Sequence, residues 1–215
     1  GGTGSGDTLN GGLGNDTFVL DAAGDILLDS GGIDTIYSAF SLTLGASFER
    51  LLLTGTGATS GTGNAAANTI TGNTAANRLK GLTGNDVVSG GGGRDTIEGG
   101  AGNDTLTGGA DADNFVFNTA LSAVANLDRV SDFYVPLDTF WLENAVFTKI
   151  VGTGRMTAAQ FHKGTVAHDA DDRIVYNSAT GALIYDSNGS AAGGAIQFAT
   201  LAKGLALTNA DFLII

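Results

Sequence analysis

Asp86, Asp95, Asp104 and Asp113 recur every nine residues, and two places after each stands an apolar residue: Val88, Ile97, Leu106 and Phe115. In frames of nine from Gly63 the chain reads GNAAANTIT, GNTAANRLK, GLTGNDVVS, GGGGRDTIE, GGAGNDTLT and GGADADNFV, with Asn68 and Asn77 at the sixth place of the first two. A second block from Gly2 reads GTGSGDTLN, GGLGNDTFV, LDAAGDILL and DSGGIDTIY, with Asp7, Asp16, Asp25 and Asp34 at the same place. Carboxylates held in one register repel each other. Two unit charges ~4.8 Å apart, the spacing of neighbouring strands, repel by ~3.5 kcal/mol at an effective dielectric constant of ~20. Such a ladder needs a counter-ion. Carboxylates and turn carbonyls offer oxygen only, which suits calcium with its 6–8 oxygen ligands better than magnesium with its strict octahedron. Histidine and thiolate, which zinc prefers, are absent from every frame.

The elements that position these carboxylates follow from the rest of the frame. Places seven to nine alternate polar, apolar, polar, the pattern of a very short half-buried strand. Places one to six are rich in glycine, which reaches positive φ and turns tightly. Two strands and two turns close one coil every 18 residues, so place eight stacks on itself two frames later. The expected fold is therefore all-β: a parallel β-roll, a two-sheet right-handed solenoid, followed by a β-rich cap containing a hairpin. Ser38–Leu44 separates the blocks, which span 2–37 and 45–116. The frames from Gly45 and Thr54 are degenerate, with Arg50 and Thr59 at place six and Leu52 and Gly61 at place eight. Each frame buries about one aliphatic side chain against the entropy of ordering a glycine-rich segment. Residues 1–117 are accordingly expected to stay largely unfolded without calcium and to fold on binding it.

GGLGNDTFV and GGAGNDTLT resemble the RTX, or hemolysin-type, calcium-binding nonapeptide G-G-x-G-x-D-x-U-x, closely in Gly11–Val19 and Gly81–Val116 and more loosely elsewhere. The resemblance implies calcium held in the turns of a β-roll, export by a Gram-negative type I system and folding outside the cell. It also implies ligand sets: carbonyls from places two and four of one loop, from places one and three of the loop two frames on, and both place-six carboxylates. One ion would be held by Leu82, Gly84, Asp86, Gly99, Ala101 and Asp104. A second would use Gly91, Gly93, Asp95, Gly108, Ala110 and Asp113, and a third Gly12, Gly14, Asp16, Asp29, Gly31 and Asp34. A fourth would draw on Thr3, Ser5, Asp7, Leu20, Ala22 and Asp25, and Asn77 with Asp95 suggests a weak fifth. Roughly three to five calcium ions are expected in all.

Composition divides the chain near Asn118: 27 of its 35 glycines lie in residues 1–117, and the net charge of −12 splits into −9 before that point and −3 after it. We therefore expect an RTX roll over 1–117 and a C-terminal cap and secretion-signal region over 118–215. In the latter, "DRVSDF" and "LDTFWL" look like the segment that follows the last repeat in serralysin-type domains and should continue the stack; Asp132 and Asp138 could bind another ion but read more readily as surface turn acids. Arg173–Tyr176 and Ala182–Tyr185 alternate about the turn Asn177–Gly181 and read as a hairpin. The D-x-N-x-S of Asp186, Asn188 and Ser190 lacks the distal glutamate of an EF-hand and reads as a turn. "MTAAQF" and "LTNADFLII" each suggest a short helical turn, the first starting near Thr157 and the second capped by Asn209 and Asp211. The final "DFLII" resembles the uncleaved signal read by type I exporters, and also fits a last edge strand.

Several functions are disfavoured. An acidic chain repels nucleic-acid phosphates. There is no cysteine, so disulfides and thiolate metal sites are excluded, and no apolar run approaches a membrane span. H-E-x-x-H, G-x-S-x-G and P-loop motifs are missing, and His162 and His168 stand six apart in a polar stretch and read as surface residues. Catalysis is not expected. The lack of an initial Met and of a signal peptide reads as the C-terminal part of a larger secreted, extracellular protein. The leading expectation is a calcium-dependent folding and secretion module, with calcium and the type I apparatus as partners. The alternative is a polysaccharide-binding module like those attached to alginate epimerases, for which Arg78, Lys80 and Arg94 supply a sparse basic stripe. An adhesin or ice-binding face of Thr69, Thr71, Thr96, Thr105 and Thr107 is a third reading.

Overall fold

A computed structural model describes residues 6–215. Among the described residues the chain forms an all-β, mostly parallel solenoid with an eleven-stranded sheet, an eight-stranded sheet and a separate two-stranded sheet, Thr8–Asn10 with Ile26–Leu28. From Thr69 to Phe117 successive strands alternate between the two large sheets, so strand pairs join residues 18 apart. Val87–Gly91 lies between Thr69–Thr71 and Thr105–Gly109 in the long sheet. Thr96–Ala101 lies between Arg78–Thr83 and Asn114–Phe117 in the other. Place eight points inward on both: Ile70, Val88 and Leu106 stack in one column, Leu79, Ile97 and Phe115 in the other, all fully buried.

The frame expected from Gly45 is displaced by one residue. Arg50–Leu53 pairs with Arg50 beside Thr35 and Thr69, so Leu51, not Leu52, fills the inward slot, and Leu52 faces outward beside Tyr37 and Thr71. A one-residue slip exchanges the faces of a strand. The observed register buries both Leu51 and Leu53, where the expected one would bury Leu52 alone. The preceding turn also sends Phe48 into the core, edge-on to Phe18 with ring centroids 5.4 Å apart.

Both large sheets run on past Asn118. Asp128–Val130 pairs parallel with Thr105–Gly109, and Thr139–Leu142 with Asn114–Phe117, as expected for the two alternating segments. One continuous core links the repeats to the C-terminal part, where Phe115, Phe117, Phe133, Phe140, Phe198 and Phe212 form a ring cluster; Phe133 and Phe140 stack at 4.1 Å. The hairpin forms as Ile174–Asn177 with Ala182–Asp186 and is extended by Ala195–Thr200. The Asp186 carboxylate accepts the Asn188 N–H at 3.1 Å and so closes a turn. Thr157 precedes the 3-10 turn Ala158–Gln160. In the second turn, Asn209–Asp211, the cap is Thr208 rather than Asn209, and Asp211 reaches back to the Thr208 N–H at 2.7 Å. Phe212–Ile214 is an interior strand, between Thr139–Leu142 and Gly154–Arg155, so the segment expected at the sheet edge is covered on both sides. Among the described residues no helix is long and apolar enough to cross a membrane.

Candidate metal centre: the carboxylate ladders

Each place-six side chain leaves the end of a glycine turn and turns inward beneath the coil before it. In Asp25, Asp34, Asp86, Asp95, Asp104 and Asp113, Oδ1 accepts the backbone N–H of the place-six residue 18 positions earlier, whereas Oδ1 of Asn68 and Asn77 accepts the Asn64 and Asn73 N–H groups of its own loop at 2.7 and 2.8 Å. In the column beside the long sheet, Asn68 N–H donates to Asp86 at 2.7 Å, Asp86 to Asp104 at 2.8 Å, and Asp104 to Asp128 at 3.0 Å. In the opposite column Asn77 donates to Asp95 at 2.7 Å, Asp95 to Asp113 at 2.9 Å, and Asp113 to Asp138 at 3.0 Å. The N-terminal block repeats the motif, with Asp16 donating to Asp34 at 2.7 Å and Asp7 to Asp25 at 3.3 Å.

The other oxygen of each carboxylate is the informative one. Among the described residues, Oδ2 of Asp7, Asp16, Asp34, Asp86, Asp95, Asp104 and Asp113 is buried with no hydrogen-bond partner, as is Oδ1 of Asp29. A buried charged oxygen without a donor is costly, and buried polar groups are normally paired. The turn glycines make room for these atoms. A Cβ on Gly81 would overlap both Asp86 Oδ2 and the Gly99 carbonyl oxygen, and one on Gly90 would overlap Asp95 Oδ2 and the Gly108 oxygen. Thus Asp86 with Gly99, and Asp95 with Gly108, converge on single points in the turns.

The remaining carbonyl positions lie in the same loops. The Leu82, Gly84, Gly14 and Gly91 oxygens lie against Gly100, Gly102, Gly32 and Gly109, where a Cβ would overlap them. The Ala101, Gly31, Gly12 and Gly91 oxygens accept N–H groups of Gly84, Gly14, Ser30 and Ala110 at 2.9–3.0 Å, which leaves one lone pair on each. Gly93 N–H meets Asp111, next in sequence to Ala110, at 3.2 Å. Leu82 holds φ at 85° in the left-handed place that glycine fills at Gly12, Gly91, Gly100 and Gly109.

At the N-terminal end, carboxylate oxygens of Asp16, Asp29 and Asp34 lie within 4.8 Å of one another, and so do those of Asp7, Asp21 and Asp25. Asp21 stands at place two of its frame, outside the place-six register that marks the other aspartates. Thr3 and Ser5, expected beside Asp7 and Asp25, lie outside the described residues.

Three further acids join the ladders without a motif to announce them. The shifted register puts Glu49, not Arg50, under Asp34, whose N–H donates to Glu49 Oε2 at 2.9 Å. Asp128 and Asp138 end the two columns in the C-terminal part; Asp138, expected on the surface, is 6% exposed. Asp138 also accepts the Tyr134 N–H at 2.8 Å, and the turn it closes draws it under the last coil. Asp132 is exposed and accepts the Gly108 and Gly109 N–H groups at 2.8 Å each.

Burial sets the electrostatics. It pushes the carboxyl of Asp86 up to about 6, of Asp95 to about 7, of Asp113 to about 6 and of Asp128 to about 8. It also raises Asp104 and Asp138. Accepted backbone N–H bonds oppose the rise, and neighbouring carboxylates add to it for all but Asp104. The donor set is oxygen only, buried, crowded and short of positive charge. Those properties fit a hard divalent cation of flexible coordination.

Comparison with known proteins agrees with this chemistry. Residues 62–97 and 89–118 match the RTX calcium-binding nonapeptide repeat. A search of curated proteins finds no match. Among solved structures, the AlgE6R3 subunit of the Azotobacter vinelandii mannuronan C5-epimerase is 22% identical, with 68% of this chain and 77% of that one covered and a TM-score of 0.46. Residues 62–118 are an RTX-type calcium-binding nonapeptide repeat region, set within a parallel β-solenoid.

Proposed function

We propose that this chain is a non-catalytic module that folds when calcium fills its carboxylate ladders. The observation that carries the reading is the row of buried, unpartnered Oδ2 atoms on Asp16, Asp34, Asp86, Asp95, Asp104 and Asp113. The proposed holders are the Leu82, Gly84, Asp86, Gly99, Ala101, Asp104 set, the Gly91, Gly93, Asp95, Gly108, Ala110, Asp113 set, and the Gly12, Gly14, Asp16, Asp29, Gly31, Asp34 set. Asp7 and Asp25 are proposed as a further site, joined by Asp21. Bound calcium supplies positive charge that replaces mutual repulsion by attraction to shared neighbours. Residues 1–117 would form the calcium-dependent roll and 118–215 its cap.

Secretion through a type I exporter and folding outside a Gram-negative cell belong to the same proposal. Low calcium before export keeps the roll open, and higher calcium outside closes it. Phe212 and Ile214 are buried in the folded chain, so an exporter would have to read "DFLII" before the cap forms. Far-UV circular dichroism of calcium-free protein, then with millimolar calcium, tests the folding claim. A β spectrum unchanged by calcium removal overturns it.

A polysaccharide-binding role is the second reading. Arg78 and Lys80 do not serve it well, because Glu98 faces both at 3.8 and 2.9 Å and offsets their charge. Arg50 and Arg129 favour it: both are exposed, on the place-seven row of the long sheet, with no carboxylate within ion-pair distance among the described residues. Retention on an acidic polysaccharide in calcium, lost in Arg50→Ala with Arg129→Ala, supports this reading, and lack of retention removes it.

A further inference from the structure

Only two histidines occur in the chain, and the fold brings them together. His162 lies on the edge strand Phe161–Lys163 of the long sheet, and His168 lies in the loop that crosses to the parallel strand Ile174–Asn177. Their rings are 5.6 Å apart and nearly parallel, at 18°. His168 Nδ1 is 3.6 Å from Asp169 Oδ2, and His162 Nδ1 is 3.9 Å from Asp172 Oδ2. Ligand atoms of His168, Asp169 and Asp172 all lie within 4.8 Å of one another.

These separations are too long for hydrogen bonds, and they approach what a shared ion requires. A tetrahedral metal with bonds of ~2.0–2.2 Å keeps its ligand atoms roughly 3.3–3.5 Å apart. The loop is already fixed by other bonds. Asp172 is buried, and its Oδ2 accepts the N–H groups of His168 and Asp169 at 2.6 and 3.1 Å. Asp169 Oδ1 accepts the Asp171 N–H at 3.1 Å, and the Asp169 carbonyl accepts the Ser190 N–H at 2.9 Å. Gly164 keeps space for the His162 ring, since a Cβ there would overlap Nε2. The adjacent Arg173 guanidinium donates to the Lys149 and Asp172 carbonyls, so it leaves the Asp172 carboxylate open to another cation.

We propose that His162, His168, Asp169 and Asp172 bind one divalent transition-metal ion, of which Zn²⁺ is the natural probe. Two imidazole nitrogens and two carboxylate oxygens are a donor set that zinc takes and calcium does not. The ion would pin the crossover loop to the edge strand and leave the calcium ladders untouched.

The test uses the full chain saturated with calcium, so that the ladders are filled before the second metal is added. Isothermal titration with Zn²⁺ should show one site per chain, and Co²⁺ should give the visible absorption of a tetrahedral complex. His168 is 76% exposed, so His168→Ala leaves the fold intact; it should weaken Zn²⁺ binding by about tenfold or more. His162→Ala should do the same. Absence of the cobalt absorption, or an affinity unchanged by His168→Ala, overturns the proposal.

Discussion

Asp104→Asn should change the stability of this protein in opposite directions with and without calcium. Asparagine keeps an oxygen to accept the Asp86 N–H now held at 2.8 Å, so the backbone ladder survives. Asn68 and Asn77 show that an amide fits these columns, although their side-chain oxygens accept the Asn64 and Asn73 N–H groups of their own loops, at 2.7 and 2.8 Å, rather than an N–H of the coil before. What the substitution removes is charge. Asp104 sits one rung from Asp86 and one from Asp128, and a charged pair at ~4.8 Å costs ~3.5 kcal/mol at an effective dielectric constant of ~20. Burial pushes Asp128 up to about 8, so at pH 7.5 it is mostly protonated and repels little, whereas Asp86, at about 6, is charged. The calcium-free fold should therefore gain about 3.5 kcal/mol, one pair's worth, which is roughly 7–14 °C in a chain of this size. With calcium the same change removes a carboxylate from the ladder that ions would share, and the calcium midpoint for folding should rise. The assay is far-UV circular dichroism during heating, in millimolar calcium and in calcium-free buffer with sucrose to populate the fold. Loss of stability in both conditions, or no change in either, would refute the electrostatic argument.

Acid should partly replace calcium. The folded-state carboxyls of Asp86, Asp95, Asp113 and Asp128 are raised above the ordinary 3.8, so the fold binds more protons than the unfolded chain between about pH 4 and pH 8. Stability of the ion-free fold then falls as pH rises through that window and returns as pH falls. Dialysed, calcium-free protein should regain β structure between pH 8 and pH 5 by circular dichroism, while apparent calcium affinity declines over the same range. Gly81→Ala should cost about 1–3 kcal/mol in calcium melts, because its Cβ would overlap Asp86 Oδ2 and the Gly99 oxygen, neither of which can retreat; equal melting temperatures would contradict that crowding. Phe140→Ala should cost about 3–5 kcal/mol, since its fully buried ring packs against Phe133, Phe115 and Phe212 across the junction of repeats and cap. Denaturant unfolding should show that loss in one transition.

The repeat was legible because it is local. A nine-residue pattern with one apolar slot defines strand, turn and inward face within each frame, and so the columns of Ile70, Val88 and Leu106 and of Leu79, Ile97 and Phe115 could be written down in advance. Where the pattern lapsed, local reading failed. Gly45 to Leu53 offered two registers one residue apart, and only packing chose between them: Phe48 enters the core beside Phe18, Leu51 and Leu53 both go inward, and Glu49 replaces Arg50 in the carboxylate column. Asp128 and Asp138 were hidden for a related reason. They stand 24 and 25 residues after Asp104 and Asp113, outside the period of 18, and enter the ladders because the sheets continue through them.

By itself, then, the sequence determined the all-β roll, the inward apolar columns and the demand for a cation wherever aspartates share a register, because periodicity and like-charge repulsion need no knowledge of distant residues. Only the tertiary structure decided which oxygen of each carboxylate is left without a donor, how far the ladders extend beyond the motif, and that His162 and His168 meet over Asp172. Those outcomes depend on how coils stack and loops cross, and no single frame of nine contains that information.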